Sequence, residues 1–321
     1  MPTPSNMPNK TPAYKPWLNY EQQVQKLTAR GLDLGELTEL DMQKFLAREN
    51  YYRFSGYYCQ FYESKEPPHY FLPGITAQTL LTIYSLDTQL RLHVFEGVQS
   101  IEPLLRAKVA YHFSQGKDGA TKYRLRSSYE PRSPDNKPPA SETLESWKKK
   151  HAGYTRARIA LLKNIDNLLE REETFLQHFK DKNQDPPLWA VVEVMSLGDI
   201  SKMISLWKND SQLTSLAQDL GFRKVAELKR AVGNINYFRN ISAHHSRLWG
   251  RALSRAVALP PWDNVNFPPF RFYPQESPIS VLLLLSSWVD YLRENDEYSS
   301  TTWKLVEQDD YFRWGLLFPR L

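Results

Sequence analysis

The residues of this chain that are best suited to chemistry lie in one short run, Arg-Asn-Ile-Ser-Ala-His-His at 239–245. An arginine guanidinium holds phosphoryl oxygens through a fixed fork of donors. A histidine imidazole takes or gives a proton near neutral pH. RNA supplies its own nucleophile, the 2′-hydroxyl group, so the protein need not provide one. The run therefore predicts metal-independent cleavage of RNA.

An Arg followed by four to six residues and a His is a weak motif by itself, because short motifs also match by chance. The chain contains further matches, from Arg106 to His112 and from Arg171 to His178. What strengthens the prediction at 239–245 is the helical pattern around it.

A helical wheel of residues 228–251 separates a polar stripe from an apolar one. A solvated helix face usually carries Glu and Lys, but the polar stripe here carries Asn, His and Arg. It consists of Asn236, Asn240, His244, Arg247 and Arg251, and the apolar stripe consists of Leu228, Val232, Ile235, Phe238, Ser242, His245 and Trp249.

The wheel gives the two adjacent histidines different roles. His244 is predicted to be catalytic, together with Arg239 and Asn240, whereas His245 is predicted to be a packed, hydrogen-bonded histidine that supports the site. On an unbroken helix Arg239 would lie about 140° from His244. Either the helix is distorted, or the arginine side chain curls around it, or the two groups meet partners across a subunit boundary.

The run from Tyr237 to Trp249 resembles the signature of the Abi-like (AbiD/AbiF) abortive-infection family, which is related to the HEPN ribonucleases. The resemblance extends from about Lys15 to Trp249. It implies an all-α fold, dimerisation, and RNA cleavage that serves phage defence or toxin–antitoxin behaviour. The other segments that carry it are Lys15–Leu18, Gln22–Gly31, Asn50–Tyr57, Tyr84, Asp87, Leu90, Arg91, Ile101, Glu102, Arg106, Pro187, Trp189, Glu193 and Gly198.

Composition limits the class of protein. The single cysteine, Cys59, excludes an intrachain disulfide framework and a Cys-based zinc site, and it fits a reduced cytoplasm. No cluster of His, Asp and Glu has convincing ligand spacing, so we expect no metal and no other cofactor. The net charge of +5 favours polyanions only mildly. The apolar run from Ile279 to Val289 is too short to span a bilayer, and we expect a buried helix and no membrane contact.

The apolar spacing predicts helices throughout and no strand of useful length. We expect a flexible terminus at 1–16, a helical segment at 17–75, and a HEPN-like domain at 76–316 with a loop insertion at about 114–143. Thr38 and Thr76 are predicted helix caps. Helices at 76–113 and 223–258 should form the centre, and the remaining helical patterns lie at about 144–180, 188–208, 212–220, 276–294 and 300–316.

Two groups on the long helix have alternative interpretations. Asp87 with Arg91, and Glu102 with Arg106, have the spacing of surface ion pairs. Glu102 and Arg106 could instead reach the catalytic helix and orient its groups.

The tyrosine-rich block at 51–62 could stack on unpaired bases, but aromatic packing between helices is the favoured interpretation.

A basic cluster follows the loop insertion, and it either tracks an RNA backbone or forms a solvated helix end. Its members are Lys148, Lys149, Lys150, Arg156 and Arg158, and Arg251 is a further candidate for RNA binding.

These observations lead to a dimeric endoribonuclease as the predicted function. His244 would remove the 2′-hydroxyl proton or protonate the leaving 5′-oxygen, Arg239 would stabilise the phosphorane, and Asn240 would bind phosphate or hold His244. One histidine cannot act on both sides of phosphorus at once, and a two-fold dimer would supply the second. The alternative is a non-catalytic RNA-binding or protein-interaction module. In either case RNA is the expected partner, and a protein or small-RNA antitoxin is possible.

Overall fold

The computed structural model describes residues 15–129, 143–171, 173–253, 257, 266, 268, 269 and 273–319. Across these residues the chain is helical and forms no strand, apart from isolated bridges between Asp33 and Thr76 and between Tyr62 and Phe71. The predicted all-α class is therefore confirmed. Most of the predicted flexible terminus, and residues 130–142 of the predicted insertion, lie outside the described residues.

The chain divides into two compact units, Met1–Ser85 and Leu86–Leu321. The first contains α1 (Tyr20–Thr28), α2 (Glu39–Arg48) and α3 (Tyr51–Tyr58). Thr38 caps α2 in a reciprocal arrangement with Asp41, as predicted. The long helix α4 (Ala77–Phe113) is uninterrupted and confirms the predicted span, and Thr76 caps its first turn by accepting from the Thr79 N–H at 3.1 Å.

The tyrosine-rich block forms the core of the first unit. Phe54, Tyr57 and Tyr58 are buried. Phe54 meets Phe45 of α2 edge to face, with ring centroids 5.0 Å apart. This confirms the packing interpretation, and among the aromatic residues of the block only Tyr52 projects widely into solvent, with 84% of its surface exposed.

The second unit continues with α5 (Leu144–Leu169), α6 (Thr174–Asp181), α7 (Leu188–Val191), α8 (Leu197–Leu206), α9 (Asp210–Asp219), α10 (Val225–Ala243), α11 (Pro278–Arg293), α12 (Glu297–Val306) and α13 (Asp310–Leu317). Short 3₁₀ turns at Gly119–Arg124 and Arg126–Tyr129 lie in the described part of the insertion.

Several spans predicted as one helix contain two helices. In each of them the apolar spacing continues, but a capping residue starts a new helix partway along. Ser196 and Asp199 form a capping box that starts α8 within the span predicted as one helix at 188–208. Asp309 accepts from the Phe312 N–H at 2.7 Å and starts α13 within the span predicted at 300–316.

The centre of the second unit is apolar. Residues 278–290 of α11 are all buried, which confirms the predicted buried helix. Helix α10 packs against α8, α9 and α11. Over the described residues, no helix is both long enough and apolar enough to cross a membrane.

Helices α4 and α12 are in close contact around Tyr298. The Tyr298 hydroxyl donates to the His93 carbonyl at 2.6 Å, and its ring stacks on the His93 imidazole. Burial lowers the pKa of His93. A Cβ atom on Gly97 would lie 2.2 Å from the Tyr298 hydroxyl oxygen, so only glycine fits there.

We expect Gly97→Ala to lower the free energy of unfolding by about 1–3 kcal/mol, because the added methyl group forces Tyr298 out of its place. Gly153→Ala on α5 is the matched control. A Cβ atom there meets nothing within 4 Å, and alanine should raise stability by roughly 0.5–1 kcal/mol through helix propensity. Urea denaturation measures both, and equal shifts in the same direction would contradict the packing.

Candidate functional site

Helix α10 ends at the histidine pair. The prediction of one helix over 223–258 was wrong, because a Schellman motif closes the helix after Ala243. The Ser246 N–H donates to the Ile241 carbonyl at 2.9 Å, and the His245 N–H donates to the Ser242 carbonyl at 3.1 Å. His245 occupies the left-handed position of this motif, with φ +54°.

Asp87 of α4 fixes the chain on the other side of the histidines. One of its carboxylate oxygens accepts from the N–H groups of Leu248 and Trp249, at 3.2 and 2.8 Å. Its second oxygen accepts from Arg91. Asp87 and Arg91 are both buried, so the interpretation of this pair as a surface ion pair was wrong.

Trp249 anchors the same segment to the last helix. Its indole Nε1–H donates to the Phe312 carbonyl at 3.0 Å. The Gly250 N–H donates to the Gly315 carbonyl at 3.0 Å. A Cβ atom on Gly315 would lie 2.1 Å from the indole ring, so the two segments are in direct contact. The result is a short loop, residues 244–248, held at both ends.

His244 and His245 are both exposed on this loop. The exposure of His244 agrees with its predicted role, but the prediction that His245 is packed was wrong. The wheel assumed an unbroken helix, whereas the left-handed turn directs the chain away from the apolar stripe at that residue. Among the described residues, neither imidazole hydrogen-bonds another side chain, so both are free to meet a ligand.

Arg239 and Asn240 lie near the C-terminal end of α10, and both are half-buried. The Arg239 guanidinium donates to the Asn240 side-chain oxygen at 3.3 Å. This bond leaves the Asn240 amide hydrogens and most of the guanidinium donors available. His244 is the C-cap residue of α10 and its N–H still donates to the Asn240 carbonyl at 3.0 Å, so its backbone position keeps the helical rotation of about 140° from Arg239.

Arg251 folds back onto α10. It donates to the Tyr237 hydroxyl and to the Arg247 carbonyl, each at 3.0 Å. Tyr237 was not among the predicted site residues, since a half-exposed tyrosine on a helix gives no signal of its own. Arg247 is half-buried on the loop. The segment after α10 therefore contributes Arg247 and Arg251 to a surface that the wheel had assigned to one helix.

Glu102 and Arg106 form an ion pair whose side chains are 17% and 16% exposed. Arg106 also donates to the Val192 carbonyl, just after α7. Neither side chain hydrogen-bonds α10 within the described part of the chain. The observed role of the pair is to attach the segment after α7 to α4.

The residues of the basic cluster on α5 differ in their exposure to solvent. Lys148, Lys149, Lys150 and Arg156 are exposed, whereas Arg158 is only 5% exposed. Arg158 faces the interior because it shares a side of α5 with Leu161 and Ile165, so it does not extend the surface of the other cations.

The end of α10 and the histidine loop carry groups for phosphate binding and groups for proton transfer. The guanidinium and amide of Arg239 and Asn240 are donors for phosphoryl oxygens, and an imidazole carries protons near neutral pH.

Sequence reasoning missed Asp87 as the anchor, since an Asp four residues before an Arg has the same spacing in a buried pair as on a surface.

His245→Gly should raise the free energy of unfolding by about 0.5–1 kcal/mol, because a non-glycine residue is strained in the left-handed region. His245→Ala keeps that strain and serves as the control, with no such gain. Guanidinium denaturation compares the two variants with the parent protein. A loss of stability in His245→Gly would show that the imidazole makes stabilising contacts.

The comparisons with known proteins identify the family of the chain. A model of the Abi-like protein family matches residues 44–250, which include α4, α10 and the histidine loop. No curated protein and no solved structure matches the chain. Since the matched segment makes up more than half of the 321 residues, the chain belongs to the Abi-like protein family.

Proposed function

We propose that this protein is a metal-independent endoribonuclease that acts in abortive infection, the defence in which an infected cell limits phage. Membership of the Abi-like family supports the broader part of this proposal, a role in phage defence. The chemical part is supported by the site at the end of α10. The HEPN relationship, RNA as substrate, a homodimer and an antitoxin belong to the same proposal.

The observation that carries the proposal is the exposed histidine loop beside Arg239 and Asn240. Hydrogen bonds fix both ends of the loop, so the two imidazoles are presented at the surface by an anchored segment. His245 holds a backbone position that favours glycine. A residue that keeps a strained conformation on an exposed loop is typical of a functional site.

The proposed reaction needs only groups of the chain and of the RNA. His244 takes the proton from the 2′-hydroxyl, whose oxygen attacks phosphorus, or it protonates the 5′-oxygen that leaves. Arg239 stabilises the charge that develops on the phosphoryl oxygens, and Asn240 donates to the same oxygens. Proton transfer contributes about 10²–10⁴ in rate, and a donor to the developing oxyanion contributes about 10²–10³.

In-line cleavage uses a base on one side of phosphorus and an acid on the other. The exposure of His245 adds a candidate for the second group within one chain. The other candidate is His244 of a second subunit, placed by a two-fold axis. The homodimer is therefore one of two ways to complete the site, and the variants below separate them.

We expect His244→Ala to abolish cleavage of RNA while the midpoint of unfolding stays within a few degrees, because an exposed substitution costs under about 0.5 kcal/mol. His178→Ala is the matched control, since His178 is exposed and follows Arg171 at a similar spacing. Purified proteins are incubated with total RNA in excess chelator and with an oligonucleotide whose scissile residue is 2′-deoxy. Cleavage of the deoxy substrate, or full activity of His244→Ala, would refute the mechanism.

Mixing inactive Arg239→Ala and His244→Ala proteins distinguishes the two sources of the second group. If each site takes its Arg and its His from different subunits, the mixture should regain part of the activity, because one of the two sites in each heterodimer is intact. If His245 is the second group, the mixture stays inactive and His245→Ala loses as much activity as His244→Ala. If both His244 side chains of a dimer serve one site, the mixture also stays inactive, but His245→Ala keeps its activity and the wild-type protein loses activity on dilution into monomers. Full activity of both His245→Ala and a monomeric wild-type protein would contradict every arrangement.

A further inference from the structure

A second surface of the second unit has features of a ligand site. A cleft of about 500 Å³ lies between the C-terminal part of α4 and the short helix α7. Pockets of about 300–1,000 Å³ are the usual size for small-ligand sites. Tyr111 and Ser114 of the α4 side and Trp189 and Glu193 of the α7 side line this cleft.

The two aromatic residues of the cleft are unusually exposed. Trp189 is 57% exposed and Tyr111 is 67% exposed. Their rings make no contact with each other. Large aromatic side chains are normally well buried, and apolar surface that stays uncovered at a concave site is typical of a binding site.

Helix α7, which carries Trp189, is held at both ends by hydrogen bonds. The Tyr123 hydroxyl donates to the Pro186 carbonyl at 2.8 Å, just before the helix. Arg106, itself paired with Glu102, donates to the Val192 carbonyl just after it. The neighbours of Trp189 on α7, Leu188 and Val191, are fully buried. Trp189 is therefore an anchored aromatic platform at the protein surface.

Two polar groups complete the cleft. Glu193 is exposed, and its carboxylate can accept two parallel hydrogen bonds. The Ser114 hydroxyl oxygen is buried and has no hydrogen-bond partner among the described residues. The cleft thus combines ring surfaces for stacking with a carboxylate that selects neighbouring N–H donors.

We propose that this cleft binds an unpaired guanine base of an RNA strand. Trp189 and Tyr111 stack on the base, and the Glu193 carboxylate accepts from its N1–H and N2–H groups. Guanine is the RNA base whose pairing edge presents two adjacent donors, so a carboxylate favours it over adenine, cytosine and uracil. The assignment rests on the proposed function, since it takes RNA to be the ligand of this protein.

The test measures binding separately from cleavage. The parent protein carries His244→Ala, and its affinity is measured by fluorescence anisotropy at one fixed salt concentration. The probes are a labelled oligouridylate with one central guanosine and the same strand with adenosine in its place. Trp189→Ala and Tyr111→Ala should weaken binding of the guanosine strand by roughly 10- to 100-fold, as expected for loss of stacking on a base.

Glu193→Gln should remove the preference for guanosine while leaving the affinity for the adenosine strand within about twofold, because only the acceptor pair is lost. Trp17→Ala is the control for Trp189→Ala, since Trp17 is 83% exposed and does not line the cleft. Far-ultraviolet circular dichroism confirms that each variant is folded.

The outcomes separate this inference from the proposed function. If Trp189→Ala and Glu193→Gln bind both strands as the parent does, the cleft assignment is overturned even when the wild-type protein cleaves RNA. If these variants lose the guanosine preference but the wild-type protein cleaves no RNA, the cleft stands and the proposed enzyme does not. A parent protein that binds neither strand overturns the cleft assignment as well.

Discussion

The buried carboxylate of Asp87 is the constraint on which the candidate site depends. A buried charge is costly unless it is paired and hydrogen-bonded. Arg91 supplies the opposite charge, and the backbone N–H groups of Leu248 and Trp249 supply the remaining donors. The chain after α10 must therefore return to α4. That return, together with the Schellman motif, leaves His244 and His245 on a short loop anchored at both ends.

The regular parts of this architecture could be predicted from the sequence, because apolar periodicity reports which side of a helix is buried. The prediction of a helix over 76–113 and the observed Ala77–Phe113 differ by one residue. The end of α10 could not be predicted in the same way. A Schellman motif normally shows a glycine at its left-handed residue, and this chain has His245 there.

The assignment of His245 to the core failed for the same reason, since the wheel continued a helix that had already ended. Asp87 illustrates a different limit. An Asp and an Arg one turn apart look alike in sequence whether they face solvent or the interior. Only the segments that pack against α4 distinguish the two cases, and those segments lie more than 150 residues further along the chain.

One helix serves both the histidine loop and the aromatic cleft. Asp87 and Glu102 lie fifteen residues apart on α4, about 22 Å along the helix axis at 1.5 Å per residue. Each belongs to an ion pair that also fixes a backbone segment, the first through Asp87 itself and the second through Arg106. Two surfaces with different chemistry are thus spaced along a single rigid element.

The contact between Trp249 and α13 has a consequence for how the protein is made. The indole and Gly250 donate to carbonyl groups of Phe312 and Gly315, which lie more than 60 residues further along the chain and outside the family-matched residues. Chains emerge from the ribosome N-terminus first and begin to fold as they do so. The histidine loop therefore acquires this support only after α13 has been synthesised, more than 60 residues after the loop itself.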